Sequence, residues 1–166
     1  MKSFQISNLK VFVNRLRSRF SLHHIMKFLF SLLFIASTTF AFADAGWQTD
    51  YKKALEQART QNKKVLLNFT GSDWCGWCMK LKREAFDQTA FKDFAEKNLV
   101  LVEVDFPRSK SQSNAVKKQN DALQKEYGID GFPTLVLLNP NGKLVRKNPG
   151  YLAGGAKAVI EWIQAK

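Results

Sequence analysis

The sequence predicts an α/β fold: a four-stranded mixed sheet with helices on both faces. Three observations carry that expectation. The apolar runs Val65–Phe69, Leu99–Phe106 and Pro133–Leu138 have the length and composition of buried strands. The stretches around them repeat apolar residues at helical spacing. Asn139-Pro140-Asn141-Gly142 then closes the third run with an Asn-Gly hairpin signal, so one strand must return antiparallel.

Taken in order, Tyr51, Ala54, Leu55 and Ala58 lie at i, i+3, i+4 and i+7, which predicts an amphipathic helix over 49–61, with Thr49 or Asp50 as its cap. Trp47 just before it is expected to pack on the domain. The Val65–Phe69 strand follows, then a helix over 79–86. Asp87 or Thr89 caps a short helix over 90–97 whose inner face is Phe91, Phe94 and Ala95. Leu99–Phe106 is apolar on both faces until Glu103, as expected of a strand inside a parallel sheet. A polar break over 107–112 leads to Ser113, a cap for a helix that ends at Tyr127, with Gly128 suited to the C′ position. The third strand, the hairpin, a return strand over 144–146, a loop over 150–155 and a closing helix over 156–164 complete the domain. A right-handed crossover is expected between the parallel strands.

The chain has 166 residues and a formal net charge of +12. Six of its 26 basic residues and none of its 14 acids precede Asp44, so the remainder carries only +6. That mild excess fits a solvated surface with weak attraction to membranes or acidic partners. No motif supports nucleic-acid binding. Residues 1–43 follow a secretory pattern: an apolar run from Phe28 to Ala36 continues to Ala41-Phe42-Ala43, an A-x-A cleavage site. Met26-Lys27 directly precedes the apolar run, so a signal peptide starting at Met26 has normal proportions and residues 1–25 read as an upstream extension. The rival readings are a mitochondrial presequence over 1–25 and an uncleaved membrane anchor. The expected mature domain is 44–166, periplasmic or secreted, touching a membrane only if the leader is retained.

Both cysteines of the chain, Cys75 and Cys78, lie in Trp74-Cys75-Gly76-Trp77-Cys78, where a strand gives way to a helix. The first turn of a helix offers unpaired N–H groups and the positive end of the dipole, both of which favour a thiolate. Cys78, one turn on, is close enough to pair with Cys75. Such a pair can attack a disulfide and resolve the mixed disulfide internally. A zinc site lacks ligands: there is no third cysteine, and the two histidines, His23 and His24, fall in the leader. Haem attachment requires His after the second Cys, where this chain has Met79. An inert structural disulfide is the remaining alternative, though closing so short a loop stabilises little.

Trp74-Cys75-Gly76-Trp77-Cys78 after an apolar strand, with Gly131-Phe132-Pro133-Thr134 downstream, resembles the thioredoxin superfamily over roughly 47–163. The resemblance implies a thioredoxin-like fold and an exported thiol–disulfide oxidoreductase. Its partners would be protein thiols or disulfides and an upstream electron donor or acceptor, with no metal and no other cofactor. Cys75 would be the nucleophile and Cys78 the resolving thiol. Pro133 would be cis and face the cysteines, and Trp74, Gly76, Trp77 and Phe132 would form an apolar rim for an extended substrate segment. Gly76-Trp77 between the cysteines matches neither the Gly-Pro of thioredoxin nor the Pro-His and Gly-His of oxidases and isomerases. An oxidase or isomerase, and a non-catalytic peptide-binding or chaperone module, therefore stay open beside a reductase. The segment after the second strand is longer than in simple thioredoxins, either for a surface contact or as a longer solvated helix.

One family feature is broken. Where thioredoxin has a buried Asp beneath the cysteines, this chain has Asn68, which cannot accept a proton near neutral pH. Glu103, interrupting the neighbouring apolar strand, is the candidate replacement, because charges are rarely buried without a reason. The competing reading places Glu103 at the strand end, against a lysine or solvent.

Overall fold

The computed structural model describes residues 46–165. The leader, with its expected start at Met26 and cleavage after Ala43, lies outside the described residues. The elements run α1 Tyr51–Gln61, β1 Lys64–Thr70, α2 Gly76–Leu81 with a π-helical turn Lys82–Phe86, α3 Thr89–Asn98, β2 Leu99–Asp105, α4 Asn114–Glu126, β3 Thr134–Leu138, β4 Leu144–Pro149 and α5 Gly155–Gln164.

The four strands form one mixed sheet in the order β2-β1-β3-β4. β1 pairs parallel with β2, and Asn68 stands opposite Glu103. β1 and β3 are antiparallel, as are β3 and β4, joined by the Asn139–Gly142 turn. β1 is buried on both faces beyond Lys64. Its alternating side chains divide the core in two. Val65, Leu67 and Phe69 pack with Val100, Val102, Val104 and Val136 under Ala54 and Ala58 of α1 and Leu123 of α4. Leu66 packs with Leu99, Leu101, Leu135 and Leu137 under Leu81, Phe91 of α3 and Val159 and Ile163 of α5. Each fully buried Val, Leu, Ile or Phe among them contributes roughly 1.5–3 kcal/mol relative to exposure. This two-sided burial is the reason the strands carry near-continuous apolar runs.

The local signals act largely as the sequence implies. Asp50 caps α1 by accepting from Lys53 N–H, and Ser113 caps α4 by accepting from Val116 N–H. Gly128 takes a positive φ of 56° after α4. Trp47 packs on Phe86, ring centroids 4.9 Å apart. Three details differ. Neither Asp87 nor Thr89 caps α3; the cap is Gln88, without a side-chain bond, and Asp87 pairs with Lys82 instead. The helix after the cysteines is not uniform but widens into the π turn at Lys82. The return strand continues three residues further than expected, to Pro149. Gly155, with φ +66°, lets the start of α5 approach that π turn: a Cβ there would meet the Glu84 carbonyl oxygen at 2.9 Å.

Candidate active site

β1 ends at Thr70, and the next residues turn sharply into α2. Trp74 N–H and Cys75 N–H both donate to the Gly71 carbonyl, at 3.3 and 2.9 Å. Gly71 has no space for a side chain, because a Cβ would meet the Trp74 indole at 2.4 Å. Cys75 is the N-cap of α2, with extended backbone, and its Sγ accepts from Cys78 N–H at 3.2 Å. Cys75 and Cys78 are joined as a disulfide with Cα atoms 5.2 Å apart. A sulfur at that cap faces the unpaired N–H groups of the first helical turn, which stabilise a thiolate once the pair is reduced.

The sheet order places β2 and β4 on opposite edges, and each edge sends a loop to one flank of the cysteines. From the β2 edge comes the segment 106–112. Ser72 donates through its N–H and hydroxyl to the Asp105 carboxylate, at 2.8 and 2.6 Å. Trp74 Nε1 donates to the Phe106 carbonyl at 2.8 Å. Arg108 and Ser109 donate their backbone N–H groups to the Asp73 carboxylate. Those two N–H donors hold the Asp73 carboxyl at a pKa of about 2. The Arg108 guanidinium lies over the Trp74 ring at 4.1 Å. The start of the segment after β2 thus packs against the active-site turn. On the other flank Trp77, 58% exposed, leans on Tyr151 after β4, with the Lys80 ammonium about equally near both rings. Tyr151 donates its hydroxyl to Glu84.

The expected rim is thus split. Trp74 meets Phe132 edge-on at 5.8 Å, and Phe132 stacks on Phe106 at 5.2 Å. Trp77 belongs to the opposite flank, and a Cβ on Gly76 between them would meet nothing within 4 Å. The Phe132–Pro133 bond is cis, and Pro133 is buried. Thr134 right after it pairs with Phe69 at the end of β1, which brings this turn to the same end of the sheet as the cysteines. Among the described residues, the Phe132 N–H and C=O make no backbone hydrogen bond.

Beneath α2 lies a cleft of about 280 Å³ lined by Asn68, Thr70, Ser72, Cys78, Met79, Lys82, Glu103, Asp105 and Lys110. Cys78 opens onto it; Cys75 does not. Glu103 is half-buried there, on the face of the sheet that α2 covers. Burial, then the neighbouring Asp105 charge, pushes its carboxyl up from the ordinary range, and Lys110 and Lys82 oppose that push only in part. Asn68 is 8% exposed. Among the described residues no group of three or more His, Cys, Asp and Glu side chains is placed to hold a metal ion.

Arg108, Tyr151, Phe106, Lys80 and the Asp73 clamp escaped sequence reasoning. The length of the segment after β2 was the one signal that pointed toward any of them.

Comparison with known proteins places the fold in a family. Residues 51–165 match the thioredoxin-like domain family. Disulfide bond reductase DsbH of Chlamydia pneumoniae is 36% identical over 125 residues, covering 75% of this chain and 74% of that protein. A solved structure of a DsbH oxidoreductase superposes with a TM-score of 0.68 at 36% identity, over 74% of this chain and 84% of that one. Thioredoxin-related protein DsbJ of the same organism is 32% identical over 93 residues, which is 56% of this chain but 27% of DsbJ. The chain belongs to the thioredoxin-like family, and its chemistry is that of a thiol–disulfide oxidoreductase.

Proposed function

We propose that the protein is an exported reductase of protein disulfides. The observation that carries the assignment of roles is the asymmetry of the two sulfurs: Cys75 caps α2, and Cys78 faces the cleft that holds Glu103. In the reduced enzyme the Cys75 thiolate attacks one sulfur of a substrate disulfide. That S–S bond breaks, and its other sulfur leaves as a thiolate that takes a proton from solvent. Cys78 then gives its proton to Glu103 and attacks Cys75 Sγ. The mixed disulfide breaks, the second substrate thiol is released, and the Cys75–Cys78 disulfide remains. Two electrons pass to substrate, and a dithiol donor must restore the pair.

The open backbone of Phe132 supports pairing with an extended substrate segment, as the turn before Pro133 implies. Trp74 and Phe132 would line one side of that segment and Trp77 the other, with Gly76 leaving room between them. The reducing direction rests on the likeness to a protein named as a reductase and on the Gly76-Trp77 pair, which adds no positive charge between the cysteines. Equilibration in a glutathione series tests it. The expected potential is nearer thioredoxin's value of about −270 mV than the roughly −120 mV of strong oxidants. A value at the oxidising end assigns an oxidase or isomerase instead, and a pair that exchanges no faster than a free thiol assigns a binding module.

Export rests on the leader. Intact-mass analysis of the exported protein is expected to show a chain beginning at Asp44. A mature protein that retains Phe28–Ala36 makes the leader an anchor.

A further inference from the structure

The side-chain oxygen of Asn68 is buried with no hydrogen-bond donor among the described residues. A buried acceptor without a partner is costly and calls for a cause. Asn68 stands opposite Glu103 in the parallel register of β1 and β2, where neighbouring strands are about 4.8 Å apart. Both side chains line the cleft onto which Cys78 opens. They lie on one face of the sheet, each two residues beyond a leucine, Leu66 or Leu101, of the cluster beneath α2.

The chemistry of the three groups explains the orphaned oxygen. A disulfide has no S–H, and an ionised carboxylate has no O–H. In the oxidised enzyme with Glu103 ionised, neither neighbour can donate to Asn68. A donor arises when Glu103 holds a proton. We propose that Asn68 is a positioning residue for the resolving step: its side-chain oxygen accepts the hydrogen bond of the Glu103 carboxyl that has taken the proton of Cys78. The proton leaves the Cys78 sulfur, forms the Glu103 O–H, and later passes to solvent through the mouth of the cleft. No other reactant is required. The amide thereby stabilises the protonated base, which eases the transfer, and it does so from the strand position where the family carries its own acid. The inference rests on Glu103 as the proton acceptor. The burial that raises the Glu103 carboxyl acts in the same direction, as does Asp105, while Lys82 and Lys110 at the cleft act against it.

The test is a carbon-13 NMR titration of the oxidised protein between pH 4 and 9. The Asn68 side-chain carbonyl is expected to titrate with the same midpoint as the Glu103 carboxyl. In Glu103→Gln, whose amide donates at every pH, the Asn68 signal should stay near its acidic limit throughout. In Asn68→Ala the Glu103 midpoint and the pH midpoint of resolution should both fall by about half a unit, and the plateau rate above that midpoint should fall by roughly twofold, because the weaker base takes the proton less readily. An Asn68 carbonyl that stays flat while Glu103 titrates overturns the proposal, and so does an unmoved Glu103 midpoint in a folded Asn68→Ala. If Asn68→Ala does not fold, the wild-type titration decides alone. If the two signals titrate together but Glu103→Gln resolves at the wild-type rate, the hydrogen bond stands, while Glu103 as base, and with it the positioning role, is overturned.

Discussion

Cys75→Ser protein is expected to reduce no insulin at all, while Cys78→Ser protein attacks once and stops. The difference follows from placement. Cys75 sits at the cap of α2, where the first helical turn favours its thiolate, and serine at that position has no comparable nucleophile near neutral pH. Cys78 is turned toward the cleft under the helix. Without it the mixed disulfide on Cys75 has no internal thiol to displace the substrate, so it persists until an external thiol arrives. Non-reducing gels of Cys78→Ser mixed with oxidised substrate should therefore show covalent adducts that dithiothreitol removes. Stable adducts on Cys75→Ser and none on Cys78→Ser would exchange the two roles.

What a sequence can and cannot carry is visible around this site. β1 and β2 were legible because both faces of each are buried, which leaves an apolar run that no helix or loop would need. The caps at Asp50 and Ser113 were legible because a single side chain makes the bond three residues on. The π turn was not, since one shifted hydrogen bond leaves the side-chain pattern nearly intact. The extension of β4 through Lys147 to Pro149 was hidden because an edge strand can be polar. The flanks of the site were hidden for a different reason. Arg108 on Trp74 and Tyr151 beside Trp77 come from segments more than thirty residues and more than seventy residues away along the chain, brought in by the order of strands in the sheet. Side-chain type alone says nothing of such meetings. Glu103 lies between these cases: its break in an apolar strand was readable, but its presence in the same cleft as Cys78 required the register of β1 on β2.

Glu103→Gln is expected to slow mixed-disulfide resolution at least about tenfold between pH 6 and 8, the loss that follows when a general base is removed. Alkylation of Cys75 should change little, because the nucleophile at the α2 cap is not the group that needs the base. Asp73, the other carboxylate near the cysteines, is a poor substitute: its pKa of about 2 leaves it little affinity for a proton in this range. Glu103 has the opposite environment, with burial and Asp105 raising its affinity for a proton. That shift has a consequence for stability that can be read independently of catalysis. The folded state binds the Glu103 proton more tightly than the unfolded chain does. Between the unfolded and folded pKa values the native protein therefore holds more protons, and stability falls as pH rises through the folded value. Glutamine cannot ionise, so Glu103→Gln should lose that fall. Urea midpoints at pH 5 and pH 8 should lie closer together in the variant than in the wild type, with the variant the more stable of the two at pH 8. A variant that shows the change in stability but resolves mixed disulfides at the wild-type rate would leave Glu103 a buried carboxyl without a catalytic part, and would pass the proton of Cys78 to water.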